Sequence, residues 1–305
     1  MTAAGRFAPS PSGELHLGNL RTALLAWLFA RSSGRRFLVR VEDLDRARAG
    51  AEAVQLRDLA AVGLDWDDDV VRQTERTPVY EEALGRLADA GLTYECYCTR
   101  REIQEAPSAP HAPQGAYPGT CRGLTEAQRV RRRAERPAAI RLRAGVTEWA
   151  VTDVLHGRYV GVVDDFVLRR NDGVVAYNLA VVVDDAAQGV DQVVRGDDLL
   201  PSTPRQAYLA GLLGNRVPEY AHVPLVLNAA GRRLAKRDGA ITLAALAAEG
   251  VSAEQVTAFL LESVGLPGTL TEALAVFSPS ALPREPWILD PVAPSRLHGE
   301  APRRP

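Results

Sequence analysis

Residues 6–19 read RFAPSPSGELHLGN, and the reading of this stretch decides the fold. It begins as a short strand at Arg6 and Phe7 and breaks at Pro9, Pro11 and Gly13. A helix starts near His16, because Leu17, Leu20, Leu24 and Leu28 are spaced to share one buried face. Where a strand turns through a loop into a helix, backbone N–H groups at the helix start lack partners. Those groups and the helix dipole favour an anion, above all a phosphate. Gly18 has no side chain, so a flat base can lie against the backbone there. His16 and Asn19 can donate to phosphate oxygens. Four letters such as HLGN also fit an ordinary strand-to-helix connection with a surface histidine.

Working outward, Phe37–Val41 (FLVRV) is a second buried strand. Strand, helix and strand in about forty residues form a right-handed βαβ unit with parallel strands. Parallel sheets bind ligands beyond the carboxyl ends of their strands. Glu42, Asp43 and Asp45 therefore share an edge with the Pro9–Asn19 loop. A carboxylate there can hold an ammonium group, or the three can form a solvated acidic turn. Val190–Val194 is a further strand, ending at Arg195-Gly196-Asp197-Asp198 on the ligand edge. Thr203-Pro204-Arg205-Gln206 opens a helix with a capping box and a first-turn proline. After a strand at Glu219–Leu227 comes a glycine-bounded loop, Asn228–Gly239, expected to be mobile.

At 305 residues the chain can bury a large core, and more than one domain is expected. Its 46% hydrophobic and 24% charged content are those of a soluble globular protein. A net charge of −2 does not advertise nucleic-acid binding, although local patches can still provide it. No apolar run reaches transmembrane length and no signal-peptide pattern opens the chain, so the cytoplasm is the expected compartment. Of 36 basic residues only Lys236 is a lysine. Arginine has replaced lysine wherever it serves, so a retained lysine marks a place where a compact ammonium is needed. Chance survival of one lysine is the plainer account.

Cys96, Cys98 and Cys121 are the only cysteines, and an odd count with CxC spacing fits a metal or free thiols better than disulfides. Between them lies a long loop, Glu105–Thr120, with four prolines and little periodicity. A tetrahedral zinc site needs a fourth ligand, and general ligand chemistry nominates His111. A metal here would fasten a coreless loop, a structural role. Leu124–Arg136 is a basic helix with Arg129, Arg131, Arg132, Arg133 and Arg136; it suits a phosphate backbone or is simply a solvated face.

PSPSGELHLGN resembles the HIGH signature of class I aminoacyl-tRNA synthetases, in the form of the glutamyl branch. Arg233–Arg237 (RLAKR), about 215 residues downstream, resembles the KMSKS loop. The resemblance runs from Arg6 to about Gly239 and implies an α/β fold, a class I synthetase Rossmann domain with a parallel sheet. It places halves of that domain at 1–93 and 176–240, an inserted zinc-containing α+β subdomain at 94–175, and a helical region with a proline-rich tail at 241–305.

The residue roles follow from the resemblance. Arg6, Phe7, Ala8, Pro9, Ser10, Glu42, Tyr177 and Arg195 match glutamate-binding positions, Glu42 being the partner of the α-ammonium. Arg195 is expected to meet the side-chain carboxylate, though which arginine takes which carboxylate is open. His16, Gly18, Asn19 and Lys236 match ATP positions, with His16 and Lys236 catalytic. Cys-x-Cys…Tyr-x3-Cys implies one structural Zn2+ on Cys96, Cys98, Tyr117 and Cys121, with His111 as the alternative fourth ligand. ATP with Mg2+ is the implied co-substrate, and the reaction is adenylation of L-glutamate. Two positions depart from the pattern: Ala235 replaces a small hydroxyl residue, and Arg233 replaces the first lysine.

Only about 65 residues follow the lysine loop, too few for the usual anticodon-binding region. The short form resembles the glutamyl-queuosine tRNA(Asp) synthetase family. That family activates glutamate without tRNA and transfers it to queuosine at the wobble position of tRNA(Asp). The expected partners are then L-glutamate, ATP and the anticodon stem-loop of tRNA(Asp), the last against the helix near Arg131, with no membrane and a monomeric chain. The alternatives are a compact glutamyl-tRNA synthetase charging a tRNA 3′ end, and a non-catalytic paralogue acting as a binding module.

Overall fold

The structure is a computed structural model that describes residues 3–105, 117–234 and 241–289. In chain order its strands are β1 (Ala4–Phe7), β2 (Arg36–Val41), β3 (Val71–Arg72), β4 (Thr93–Cys96), β5 (Ala139–Leu142), β6 (Glu148–Asp153), β7 (Gly157–Val162), β8 (Val167–Arg169), β9 (Val190–Gly196), β10 (Glu219–Val223), β11 (Val226–Leu227) and β12 (Trp287–Ile288). The helices are α1 (Leu17–Ser32), α2 (Ala51–Ala61), α3 (Thr77–Asp89), α4 (Arg100–Glu105), α5 (Glu126–Glu135), α6 (Tyr177–Ala187), α7 (Thr203–Leu212), α8 (Leu243–Ala248), α9 (Ala253–Glu262) and α10 (Leu270–Val276).

Seven strands form the main sheet in the order β3-β2-β1-β9-β10-β6-β7. All neighbours are parallel except the terminal β6–β7 pair. The central strands are buried on both faces, so the arginines they carry, Arg6, Arg40 and Arg195, are buried with them. Arg6 is level with Leu38 on one side and Val193 on the other, so β1 stops at Phe7 while β2 runs on to Val41 and β9 to Gly196, which leaves a recess at the end of β1. The chain leaves β1 towards β2 on one side, while β9 lies on the other. The crevice between β1 and β9 is thus the place where strand order reverses and ligands bind.

Leu17, Leu20, Leu24 and Leu28 are all buried, but so are Leu25, Ala26, Trp27 and Phe29. Helix α1 is buried on more than the one face that leucine spacing suggests, because α9 and α10 cover its far side. Phe29 meets Phe277 edge-on at 5.2 Å there. A second core joins α3, α6 and α7 with Leu142 of β5 and Leu168 of β8. The segment 94–175 is divided between two sheets. Strands β4, β5 and β8 make a separate antiparallel sheet, while the β6–β7 hairpin extends the main one.

Candidate active site

A cleft of about 750 Å³ opens at the carboxyl ends of β1, β2 and β9. It brings together Arg6, Phe7, Ala8, Pro9, Ser10, His16, Gly18, Asn19, Glu42, Tyr177 and Arg195, every described residue expected in the glutamate and ATP sites. Lys236 and Ala235 lie outside the described residues. Both flanks of 235–240 are at the cleft: Leu234 lines it, and the Ile241 carbonyl accepts from the Leu17 N–H at 3.0 Å. Arg233 forms an ion pair with Asp198 at 2.7 Å.

The entry loop is braced by its own backbone and one side chain. Glu42 and Arg48 N–H groups donate to the Pro9 and Pro11 carbonyls, both at 2.9 Å. Gln55 donates to the carbonyls of Ser10 (3.1 Å) and Gly13 (2.6 Å). His16 is the N-cap of α1. Its Nδ1 accepts from the Asn19 N–H, and Asn19 Oδ1 accepts from the His16 N–H, each at 3.2 Å. An accepting Nδ1 leaves the ring proton on Nε2. Gly18 is needed for this cap as well as for any ligand, since a Cβ there would meet the His16 ring at 3.0 Å.

Behind the cleft the charges alternate in a buried chain. Arg6 Nε meets Asp185 Oδ1 at 3.3 Å, the same oxygen takes Arg40 Nη1 at 2.7 Å, and Arg40 Nη2 reaches Glu42 Oε1 at 3.3 Å. Arg40 and Asp184 are fully buried, and Asp184 also binds Gln73, Arg76 and Tyr80. Burial would raise the Asp185 carboxyl, but Arg6 and Arg40 hold it below its usual value. Burial drives the Glu42 carboxyl above its usual value, and Arg40 and Arg6 only partly offset this.

Arg195 is buried at the end of β9. Its Nε donates to His222 Nε2 (3.0 Å), Nη1 to the Tyr177 hydroxyl (3.3 Å) and Nη2 to Thr203 Oγ1 (2.8 Å). Among the described residues no carboxylate forms an ion pair with it. A buried guanidinium at the wall of a cleft can pair with a carboxylate that enters it.

Residues 3–275 match the family of class I tRNA synthetases (E and Q), catalytic domain. A glutamyl-Q tRNA(Asp) synthetase of Nocardia farcinica is 71% identical over 288 residues, covering 94% of this chain and 93% of that protein. The chain belongs to the glutamyl-Q tRNA(Asp) synthetase family. Another member, from Cutibacterium acnes, is 56% identical over 87% of this chain and 77% of its own length. The glutamate-tRNA synthetase structure from Elizabethkingia anophelis superposes with a TM-score of 0.82 at 24% identity, covering 97% of this chain and 70% of that one, a likeness of fold.

Family membership also directs attention to the cysteines. Among the described residues, Cys96, Cys98 and Cys121 are the one group of three side chains placed to share a metal, with sulfurs within 4.8 Å of one another. Tyr117 Oη lies 3.3 Å from Cys96 Sγ and 3.8 Å from Cys98 Sγ. Zn–S bonds of about 2.3 Å in a tetrahedron put sulfurs just under 4 Å apart. The donor set therefore fits a metal. Hydrogen bonding from the Cys121 thiol and the Tyr117 hydroxyl draws the Cys96 thiol below its usual value against the effect of burial. His111 lies outside the described residues.

The basic helix looks different in three dimensions. Arg129, Arg132, Arg133 and Arg136 are paired with Glu126, Glu135, Glu95 and Glu102, which leaves Arg131 without an ion pair among the described residues. Sequence reasoning passed over Arg40, Asp184, Asp185, Asp153 and His222, which build the cleft from behind. The one available signal was an adjacent acidic pair directly after Val181-Val182-Val183, where charge is costly unless partnered.

Proposed function

We propose that this chain activates L-glutamate with ATP, without tRNA, and transfers the glutamyl group to queuosine at the wobble position of tRNA(Asp). The single observation that carries the amino-acid choice is Arg195, a buried guanidinium with no ion pair among the described residues, facing the same cleft as Arg6 and Glu42. Glu42 holds the α-ammonium, and the two arginines take the two carboxylates. Phe7, Ala8, Pro9 and Ser10 wall the amino acid, and Tyr177 closes it from α6.

ATP lies over the start of α1, with His16 Nε2 donating to a phosphate oxygen and the base against Gly18 beside Asn19. The glutamate α-carboxylate oxygen attacks the α-phosphorus in line. The bond to the bridging oxygen breaks, and pyrophosphate leaves with Mg2+. Lys236 stabilises charge growing on the β and γ phosphates. An acceptor group on queuosine then attacks the acyl carbon and AMP leaves. The protein supplies position and charge and needs no side-chain nucleophile.

Cys96, Cys98, Cys121 and Tyr117 would hold one Zn2+, which ties the ends of 99–120 together and takes no part in the chemistry. The described residues contain no helix long and apolar enough to cross a membrane. A cytoplasmic monomer is the form we propose. Arg131 offers its charge to the phosphates of the anticodon stem.

Glutamate-dependent ATP–pyrophosphate exchange without tRNA tests the first half. Exchange with glutamate but not glutamine is expected, followed by glutamyl transfer to queuosine-containing tRNA(Asp). Exchange that requires added tRNA would instead place the chain among enzymes that charge a tRNA 3′ end. No exchange under either condition would make it a binding module.

A further inference from the structure

Arg195 is aimed by residues that never reach the cleft. His222 on β10 and Asp153 at the end of β6 are both buried behind it. Asp153 Oδ2 lies 2.7 Å from His222 Nδ1 and accepts the His222 backbone N–H at 3.1 Å. Asp153 Oδ1 accepts from the Leu155 N–H at 2.9 Å and the His156 N–H at 3.0 Å. A carboxylate whose oxygens are so occupied can only accept, so the imidazole proton facing it sits on Nδ1. Nε2 is then a lone pair, which is what the Arg195 Nε–H requires at 3.0 Å. Thr203 completes the cradle by accepting from Arg195 Nη2.

We propose that Asp153 and His222 are positioning residues that set the specificity of this site. Asp153 fixes the His222 tautomer, and His222 fixes the guanidinium of Arg195 so that its charge serves a ligand carboxylate. The inference rests on the reading of Arg195 as a glutamate-binding residue. A neutral imidazole orients the guanidinium without neutralising it, whereas a carboxylate in the same place would compete with the substrate. Burial holds the His222 imidazole below its usual value, so the neutral form persists in the folded protein.

Three variants and one control decide it, read by glutamate-dependent ATP–pyrophosphate exchange. His222→Leu removes the acceptor. It should raise the KM for glutamate at least tenfold, narrow the preference over glutamine, and leave the KM for ATP within about twofold. His222→Gln returns an oxygen acceptor near the position of Nε2 and should recover most of the loss. Asp153→Asn can keep its carbonyl on the Leu155 and His156 N–H groups only by turning its amide towards Nδ1. That puts the imidazole proton on Nε2, against the Arg195 Nε–H, and should reproduce His222→Leu.

Arg195→Cys is the control. If it loses glutamate activation while the His222 and Asp153 variants keep wild-type KM and selectivity, the positioning role is wrong and the pocket reading stands. If Arg195→Cys behaves as wild type, the pocket reading itself falls and takes this inference with it. An equal fall in kcat for all substrates at constant KM would mark a merely structural role and also overturn it. Should His222→Leu fail to fold, His222→Gln and Asp153→Asn carry the test, since only the second should raise the glutamate KM.

Discussion

Asp185 and Arg40 meet at 2.7 Å in the buried wall behind the cleft, and through them two opposite charges of the cleft, Arg6 and Glu42, are held apart and in place. Substituting Asp185 by Asn leaves the shape but removes the charge between two arginines. Breaking one partner of a buried ionic set typically costs about 3 kcal/mol, because the other charge is left uncompensated. Asp185→Asn should therefore lower unfolding stability by about that amount and raise the KM for glutamate about tenfold, with the KM for ATP little changed. Denaturant unfolding and exchange kinetics check the two halves. A variant as stable as wild type with the same glutamate KM would show that the chain of charges positions nothing.

Arg195→Cys takes away a buried cation of the cleft wall that has no ion pair among the described residues. Losing a charge-assisted pair to a substrate carboxylate in a desolvated pocket removes on the order of 3 kcal/mol, a factor of more than one hundred in kcat/KM for glutamate. Glutamine carries no side-chain charge, so whatever trace exchange it supports at high concentration should fall much less. Steady-state exchange with both amino acids measures this, and equal losses for the two would remove Arg195 from the side-chain subsite.

The cysteine cluster makes a prediction that does not depend on catalysis. Protein purified without chelator should carry one zinc per chain by elemental analysis, and Cys98→Ser should reduce that sharply. Because Cys96, Cys121 and Tyr117 are buried together with Tyr94 and Tyr97, metal loss should first release the segment around 97–121. Limited proteolysis after chelation should cut there, while exchange activity in the cleft persists. Metal-free protein with intact resistance to protease would reduce the cluster to free thiols.

How much of this was legible beforehand follows from where each signal lives. The βαβ unit and the ligand edge were readable because strand ends and helix starts are local, and Arg6, Glu42 and Arg195 each follow or begin such an element. Phe37, Leu38 and Val39 marked β2 as a buried strand, whereas Arg6 in β1 and Asp191 and Gln192 in β9 hide the same burial. What could not be read was pairing across the sheet. Nothing local to Glu148–Val162 shows that this hairpin adds to β10 and not to its sequence neighbours β5 and β8. For the same reason Asp153 and His222, 69 positions apart, gave no sign that they meet behind Arg195. In the basic helix the arginines were legible and their pairing was not. Its arginines were counted without Glu95 and Glu102, which the fold brings alongside.

Glu42 gives the cleft a pH dependence whose sign can be worked out. Burial raises its folded carboxyl above the ordinary 4.5, and the charges of Arg40 and Arg6 pull it back only in part. In the free enzyme the carboxylate that must hold the substrate ammonium is therefore lost at a higher pH than an exposed glutamate would be. As pH falls through that raised value the group takes up a proton, and kcat/KM for glutamate should fall with it, because kcat/KM reports groups of the free enzyme. Bound glutamate brings an ammonium beside Glu42 and favours its charged form, so kcat should hold to lower pH than kcat/KM. The same raised value means that ionised Glu42 opposes folding. Stability from this group is greatest where it is protonated and declines as pH rises from 4.5 through the folded value. Glu42→Gln should then be no less stable than wild type above neutrality, bind glutamate poorly at every pH, and show no acid limb from this group. An acid limb that survives unchanged in Glu42→Gln would assign the titration to another residue and remove Glu42 from the ammonium site.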